Sequence, residues 1–155
     1  MLPQYLDQLD KEWQTVFKKL KIFSPSYVLA GGTAIMLQIG HRVSYDFDLF
    51  IQNERLPMSI LLNEIKKVFK SQWKMKNQTH EIYTIKIQDK VDITFVAYPY
   101  KTLRKPIVTS SASLFHLDDL AANKAYTVGR RNTWRDYVDL FFLLKWKIYS
   151  LGKII

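Results

Sequence analysis

Leu6, Leu9, Trp13, Val16, Phe17 and Leu20 recur at helical spacing behind Pro3, which predicts an amphipathic helix over residues 4–20. Ser24-Pro25-Ser26 interrupts it, and the apolar run Tyr27 to Ala30 reads as a short buried strand before Gly31 and Gly32. A second helix is predicted from Thr33 to Ile39, with Gly40 in the left-handed position that ends helices. The polar turn His41 to Tyr45 then leads into Asp46 to Ile51, where apolar and polar residues alternate as in a strand. Helical periodicity returns over residues 58–72 through Leu61, Ile65, Val68 and Phe69, with Lys66, Lys67 and Lys70 facing outward. Glu81 to Gln88 and Lys90 to Val96 alternate about Asp89, which predicts an antiparallel hairpin. A short edge strand is expected near Ile107 to Ser110, and then two helices, Asp118 to Val128 and Trp134 to Tyr149, separated by Gly129. Thr133 and Asp136 have the spacing of a capping box, with Asp in place of the usual Glu or Gln. This order predicts a mixed α/β (α+β) domain over 1–155, with few strands and helices packed on the sheet.

Composition narrows the class. The 155 residues are 48% hydrophobic, enough to build a core without staples, which excludes a disordered or fibrous chain. Cysteine is absent, so disulfides, thiolate metal sites and cysteine nucleophiles are excluded, and the reducing cytoplasm is the expected compartment. Met1 to Asp10 lacks the basic start and apolar run of a signal peptide. The most apolar stretch of the last helix, Leu140 to Leu144, falls far short of the about twenty residues of a membrane span, so a soluble protein is expected. The net charge is +9, and residues 101–155 hold ten Lys or Arg against four Asp. A surplus of this sign favours polyanions and nucleotides as partners.

Strand alternation places Asp46 and Asp48 on one face with Phe50, while Phe47, Leu49 and Ile51 face the core. Two adjacent carboxylates repel unless one takes a proton or a cation lies between them. With oxygen ligands alone, magnesium or manganese fits better than zinc, and magnesium commonly uses one or two carboxylates together with substrate phosphates. Asp92, opposite the Val91, Ile93, Phe95 stripe, is the candidate third carboxylate. Upstream, Gly31-Gly32-Thr33 lies at a strand-to-helix junction where backbone N–H groups can approach a triphosphate, and Arg42 and Ser44 precede the acids. Each feature also has a plainer reading: the acidic pair as a solvated strand end, Asp92 as a hairpin residue in water.

Those residues are familiar as a set. LAGGTAIMLQIGHRVSYDFDLF, Leu29 to Phe50, resembles the AbiEii/AbiGii abortive-infection nucleotidyltransferase toxins of the DNA polymerase β-like superfamily. KVDITFV, Lys90 to Val96, is similar to the strand carrying that family's third carboxylate, and Asp119 to Leu143 is similar to its C-terminal Lys, Arg and Asp motif. The resemblance spans residues 29–143 and implies a minimal polymerase β-like fold with C-terminal helices. It further implies magnesium-dependent transfer of a nucleoside monophosphate from an NTP to an acceptor hydroxyl. Asp46, Asp48 and Asp92 would be the metal-binding and catalytic carboxylates. Gly31, Gly32, Thr33, Arg42 and Ser44 would hold the nucleotide. Lys124 would neutralise the triphosphate, with Asp136 orienting it or touching the nucleotide. Arg130, Arg131 and Arg135 would meet acceptor phosphates, or else merely flank helix ends. Lys124 and Asp136 have the plainer reading of an interhelical ion pair. Asp139 reads as structural, His41 as a loop residue, and Trp73 as an aromatic covering the core.

Three functions compete at this stage. The first is a toxin of a toxin-antitoxin or phage-defence system that modifies RNA such as tRNA, with an antitoxin protein as partner. The second is an antibiotic nucleotidyltransferase, which the basic last third disfavours for cationic drugs. The third is an RNA- or protein-binding module without catalysis, which the repulsive carboxylate cluster argues against. Members of the family usually continue into further helices, so a reduced acceptor-binding part is expected here. The densely apolar closing helix suggests burial against a partner or a second copy.

Overall fold

A computed structural model describes residues 2–154. The chain runs through α1 (Lys11–Lys19), β1 (Val28–Ala30), α2 (Gly31–Ile39), β2 (Phe47–Ile51), α3 (Met58–Phe69), β3 (Trp73–Gln78), β4 (Ile82–Ile87), β5 (Val91–Ala97), α4 (Leu117–Thr127), α5 (Trp134–Lys145) and α6 (Leu151–Ile154). The strands form one mixed sheet in the order β1-β2-β5-β4-β3. β2 and β5 are parallel neighbours, with Asp48 opposite Thr94, and every other pairing is antiparallel.

The core follows the alternation. Phe47, Leu49, Ile93 and Phe95 are fully buried on one sheet face, where Phe17, Phe23 and Tyr27 pack against Phe47 and Phe95 with ring centroids 5.0 to 6.3 Å apart. The opposite face carries Asp48, Phe50, Asp92 and Thr94, all half-buried. There α4 and α5 pack against α2, and Phe50, Tyr98 and Phe115 form a second aromatic cluster.

Several expectations are corrected. The helix over 4–20 is broken, because Asp10 is extended (φ −59°, ψ 156°) and a 3-10 turn at Leu6–Gln8 precedes α1. That turn still buries Leu6 and Leu9, so the apolar spacing was satisfied by two short elements. β3 was not foreseen. It is an exposed edge strand, and only Trp73 packs partly against the core. The segment near Ile107 makes a single bridge, Ile107 to Leu114, and Leu114 in turn bridges to Leu29. α5 stops at Lys145, and Lys147 adopts φ 55°. The capping box does not form: Thr133 makes no side-chain cap, and the Asp136 carboxylate is taken by Lys124 and Arg131. The hairpin turns through Gln88, Asp89 and Lys90 between the paired Ile87 and Val91, with Gln88 and Asp89 at positive φ. On the closing helix, Leu143 is buried whereas Trp134, Tyr137 and Phe141 are exposed. Among the described residues no helix is long and apolar enough to cross a membrane.

Candidate active site

β1 ends at Ala30, which pairs with Asp48, so the chain enters α2 directly beside the acidic strand. Gly31 sits at φ +71°, and a Cβ there would fall 2.3 Å from Asp48 Oδ2. A Cβ on Gly32 would fall 2.3 Å from an Arg42 guanidinium nitrogen. Both glycines are therefore explained by close approach: one admits the carboxylate, the other the arginine. The buried Thr33 hydroxyl donates to the Asp46 carbonyl and lies 2.8 Å from the Ser44 hydroxyl, which ties the 41–46 turn to α2.

The result is a polar cleft of about 210 Å³ lined by Gly31, Gly32, Arg42, Ser44, Asp46, Asp48, Lys124, Arg131, Thr133, Arg135 and Asp136. Thr33, Asp92 and Arg130 lie outside that lining. Burial, reinforced by the neighbouring Asp46 charge, pushes the Asp48 carboxyl up to about 6 despite Lys124 and Arg131 nearby. Asp46 is half exposed, with an Arg135 guanidinium nitrogen 3.7 Å away.

α4 and α5 supply a buried charge network. Lys124 Nζ donates to Asp136 Oδ1 at 2.6 Å and lies 2.8 Å from Asp139 Oδ2. Arg131 grips Asp136 through Nε and Nη2 at 2.6 and 3.0 Å, and Arg42 grips Asp139 the same way at 2.6 and 3.0 Å. Burial alone would raise both acids, but these cations outweigh it and hold Asp136 below and Asp139 well below the usual carboxylate range. His41 adds a contact: its Nε2 lies 2.6 Å from Asp139 Oδ1, so that nitrogen carries the proton, and its buried Nδ1 has no partner among the described residues. The interhelical ion pair foreseen for Lys124 and Asp136 thus exists, and it is buried. Asp139 and His41, read as structural and as a loop residue, are the anchor of the arginine in the cleft. The available signal was the Asp136 to Asp139 spacing, which puts both on one helix face.

Asp92 lies on the same sheet face as Asp48, one strand over, but lysines hold it. Lys76 Nζ donates to its Oδ2 at 2.6 Å, and Lys86 Nζ is 2.9 Å from Oδ1, in ionic contact but off the hydrogen-bond direction. Burial pushes Asp92 up, and the two lysines more than reverse this. Among the described residues no three His, Asp or Glu side chains gather closely enough to hold a metal ion. Asp46 and Asp48 do fit a magnesium ion that completes its shell with water and phosphate, since they bring two carboxylates to one cleft beside the Gly31-Gly32 turn. Asp92, engaged by both lysines, does not fit as a third ligand in this arrangement.

Fold and cleft together define the class: a nucleotidyltransferase-fold domain. The structure is similar to JHP933 from Helicobacter pylori, with a TM-score of 0.66 at 18% identity over 94% of this chain and 72% of that one. It is also similar to the Megavirus polyadenylate synthase, with a TM-score of 0.63 at 15% identity over 86% of this chain and 31% of that one. More specifically, residues 16–153 match the nucleotidyl transferase AbiEii toxin family of type IV toxin-antitoxin systems, and the chain belongs to that family. An uncharacterized protein of Aquifex aeolicus (strain VF5), aq_aa25, is 30% identical over 135 residues. That alignment covers 83% of this chain but only 64% of the relative's length.

Proposed function

We propose that this protein moves a nucleoside monophosphate from an NTP onto a hydroxyl of an RNA, with tRNA the first candidate, as the toxin of a toxin-antitoxin pair active in phage defence. The observation that carries the reading is Asp48 beside Asp46 at the Gly31-Gly32 turn, with Lys124 lining the same cleft. A transferase of this kind must gather a polyphosphate and a cation at one point, and a carboxylate pair lying beside basic side chains is suited to both.

Asp46 and Asp48 would hold a magnesium or manganese ion, which when bound polarises the phosphate and lowers the pKa of a nearby hydroxyl. The backbone N–H groups of Gly31 and Gly32, which line the cleft at the start of α2, would with Ser44 receive phosphate oxygens. Lys124, Arg42 and Arg131 set three positive charges against Asp136 and Asp139, so the network keeps a surplus that favours the triphosphate. Arg131 and Arg135, both more than half exposed, offer their guanidinium groups to acceptor phosphates. Asp92 contributes charge more than proton acceptance, because a carboxyl held below its usual range is a weak base. The acceptor hydroxyl would give up its proton to water as its oxygen bonds to the α-phosphorus, the bond from that phosphorus to the α,β-bridging oxygen would break, and pyrophosphate would leave. Basic charge along the last third supports RNA as the acceptor. Expression of the wild-type chain should arrest bacterial growth, and Asp48→Ala at equal protein level should relieve it. Equal toxicity of the two would refute the catalytic reading.

A further inference from the structure

A second cavity, of about 380 Å³, opens on the other flank of α4, lined by Tyr98, Tyr100, Lys101, Leu103, Asn123 and Tyr126 among others. It lies next to the catalytic cleft because both use the same helix. Asn123 faces the cavity while Lys124, the next residue, faces the cleft, so the two openings are separated by about one helix diameter, roughly 10 Å. The turn after α4 joins them again: Arg130 stacks on the Tyr126 ring at 4.0 Å from its centroid, and Arg131 lines the cleft.

Its chemistry is unusual for a surface hollow. Tyr100 and Tyr126 are 64% and 62% exposed, which leaves ring surface open on two sides of one cavity. Tyr98 and Tyr100 stand edge to face with centroids 5.1 Å apart, and the Tyr98 hydroxyl donates to Asn123 Oδ1 at 2.9 Å. That bond fixes the amide and leaves its nitrogen to donate to a ligand edge. The wall has a carboxylate, Asp119, but both its oxygens accept backbone N–H groups, from Leu103 and Arg104, so it braces the loop that presents Tyr100 and Lys101. What remains available is flat aromatic surface, an amide donor and the cations Lys101 and Arg130.

We propose that this cavity is a subsite for an unstacked nucleobase. Aromatic rings stack on any base, a cationic rim tracks the attached phosphate, and an arginine lying on a tyrosine extends the platform. A docking surface for an apolar helix would offer aliphatic side chains instead of three tyrosines rimmed by cations. The proposal rests on the nucleotidyl-transfer reading of the neighbouring cleft for its choice of ligand. The base comes either from the acceptor strand running past the end of α4 or from the NTP itself.

The test measures binding without chemistry. A short single-stranded oligoribonucleotide carrying one 2-aminopurine, and separately 2-aminopurine riboside triphosphate, are titrated with the full chain in the absence of magnesium. Stacking quenches 2-aminopurine fluorescence. Tyr126→Leu and Tyr100→Leu, at exposed positions that leave the fold intact, should each weaken binding about tenfold, and Tyr126→Phe should retain it. Tyr137→Leu, an exposed tyrosine on α5, serves as the control and should bind as wild type does. Loss confined to the oligonucleotide assigns the base to the acceptor; loss confined to the triphosphate assigns it to the NTP. Wild-type affinity of both leucine variants for both probes would overturn the subsite. An Asp46→Asn, Asp48→Asn chain that binds the oligonucleotide normally yet transfers nothing separates this subsite from the catalytic reading.

Discussion

Asp139 and Asp92 each meet several cations beside the same cleft, yet Asp139 is fully buried under His41, Arg42 and Lys124, whereas Asp92 meets Lys76 and Lys86 on the open sheet face. The contrast separates construction from function. A buried acid with four charged or hydrogen-bonded contacts is over-determined, and removing one partner strands the others in a low-dielectric interior. A half-buried acid held by long, solvated lysines exchanges partners at little cost. Asp139 therefore sets where Lys124 and Arg42 point, while Asp92 is free to change contacts when a polyanion draws its lysines away.

The sharpest way to break this comparison is Asp139→Ala. It leaves Lys124 and Arg42 without their shared acceptor, and urea denaturation should show a loss of about 3–5 kcal/mol. For a chain of this size that is a fall in Tm of about 10 °C. Lys124→Met keeps the volume but leaves Asp136 and Asp139 paired only with arginine and histidine; a loss of about 3 kcal/mol is expected, together with loss of nucleotidyl transfer. Gly31→Ala drives a methyl into the Asp48 carboxylate at a left-handed position, so about 1–3 kcal/mol should be lost and the cleft closed to nucleotide, read by calorimetric titration with an NTP. Lys76→Ala and Lys86→Ala complete the series from the other side, with stability changes within about 1 kcal/mol. A change as large as that of Asp139→Ala would erase the distinction.

Acid sharpens it further. Asp139 is held well below its unfolded value, near 3.9, so its contribution is fully present above that pH and disappears as the pH falls toward the folded value. The stability gap between wild type and Asp139→Asn should therefore narrow below about pH 4. A gap that widens in acid would reverse the sign of the argument.

Much of this arrangement was legible in the chain. Strict alternation over Asp46 to Ile51 placed both acids opposite the Phe47, Leu49, Ile51 core stripe, and the hairpin about Asp89 placed Asp92 opposite its own Val91, Ile93, Phe95 stripe. Gly40 ended α2 at φ 63° as its position implied. β3 escaped because WKMKNQ has no buried face: an edge strand that is polar on both sides leaves no period to read. The first helix was misjudged because a 3-10 turn followed by a helix buries Leu6, Leu9 and Val16 as well as one continuous helix does. The Arg42 to Asp139 contact joins residues 97 positions apart, and no local pattern encodes such a pairing. Lys86 opposite Asp92 was within reach, since the two are equidistant from Asp89 in the hairpin register.

The most direct measurement incubates the protein with total RNA, magnesium and each α-labelled NTP in turn, with an Asp46→Ala, Asp48→Ala chain alongside and its folded state verified by circular dichroism. Label passing to RNA with the wild type, from one or more NTPs, and none with the folded double variant is the result the account predicts. Label transferred equally by both chains, or by neither, would contradict a nucleotidyl transfer centred on Asp46 and Asp48.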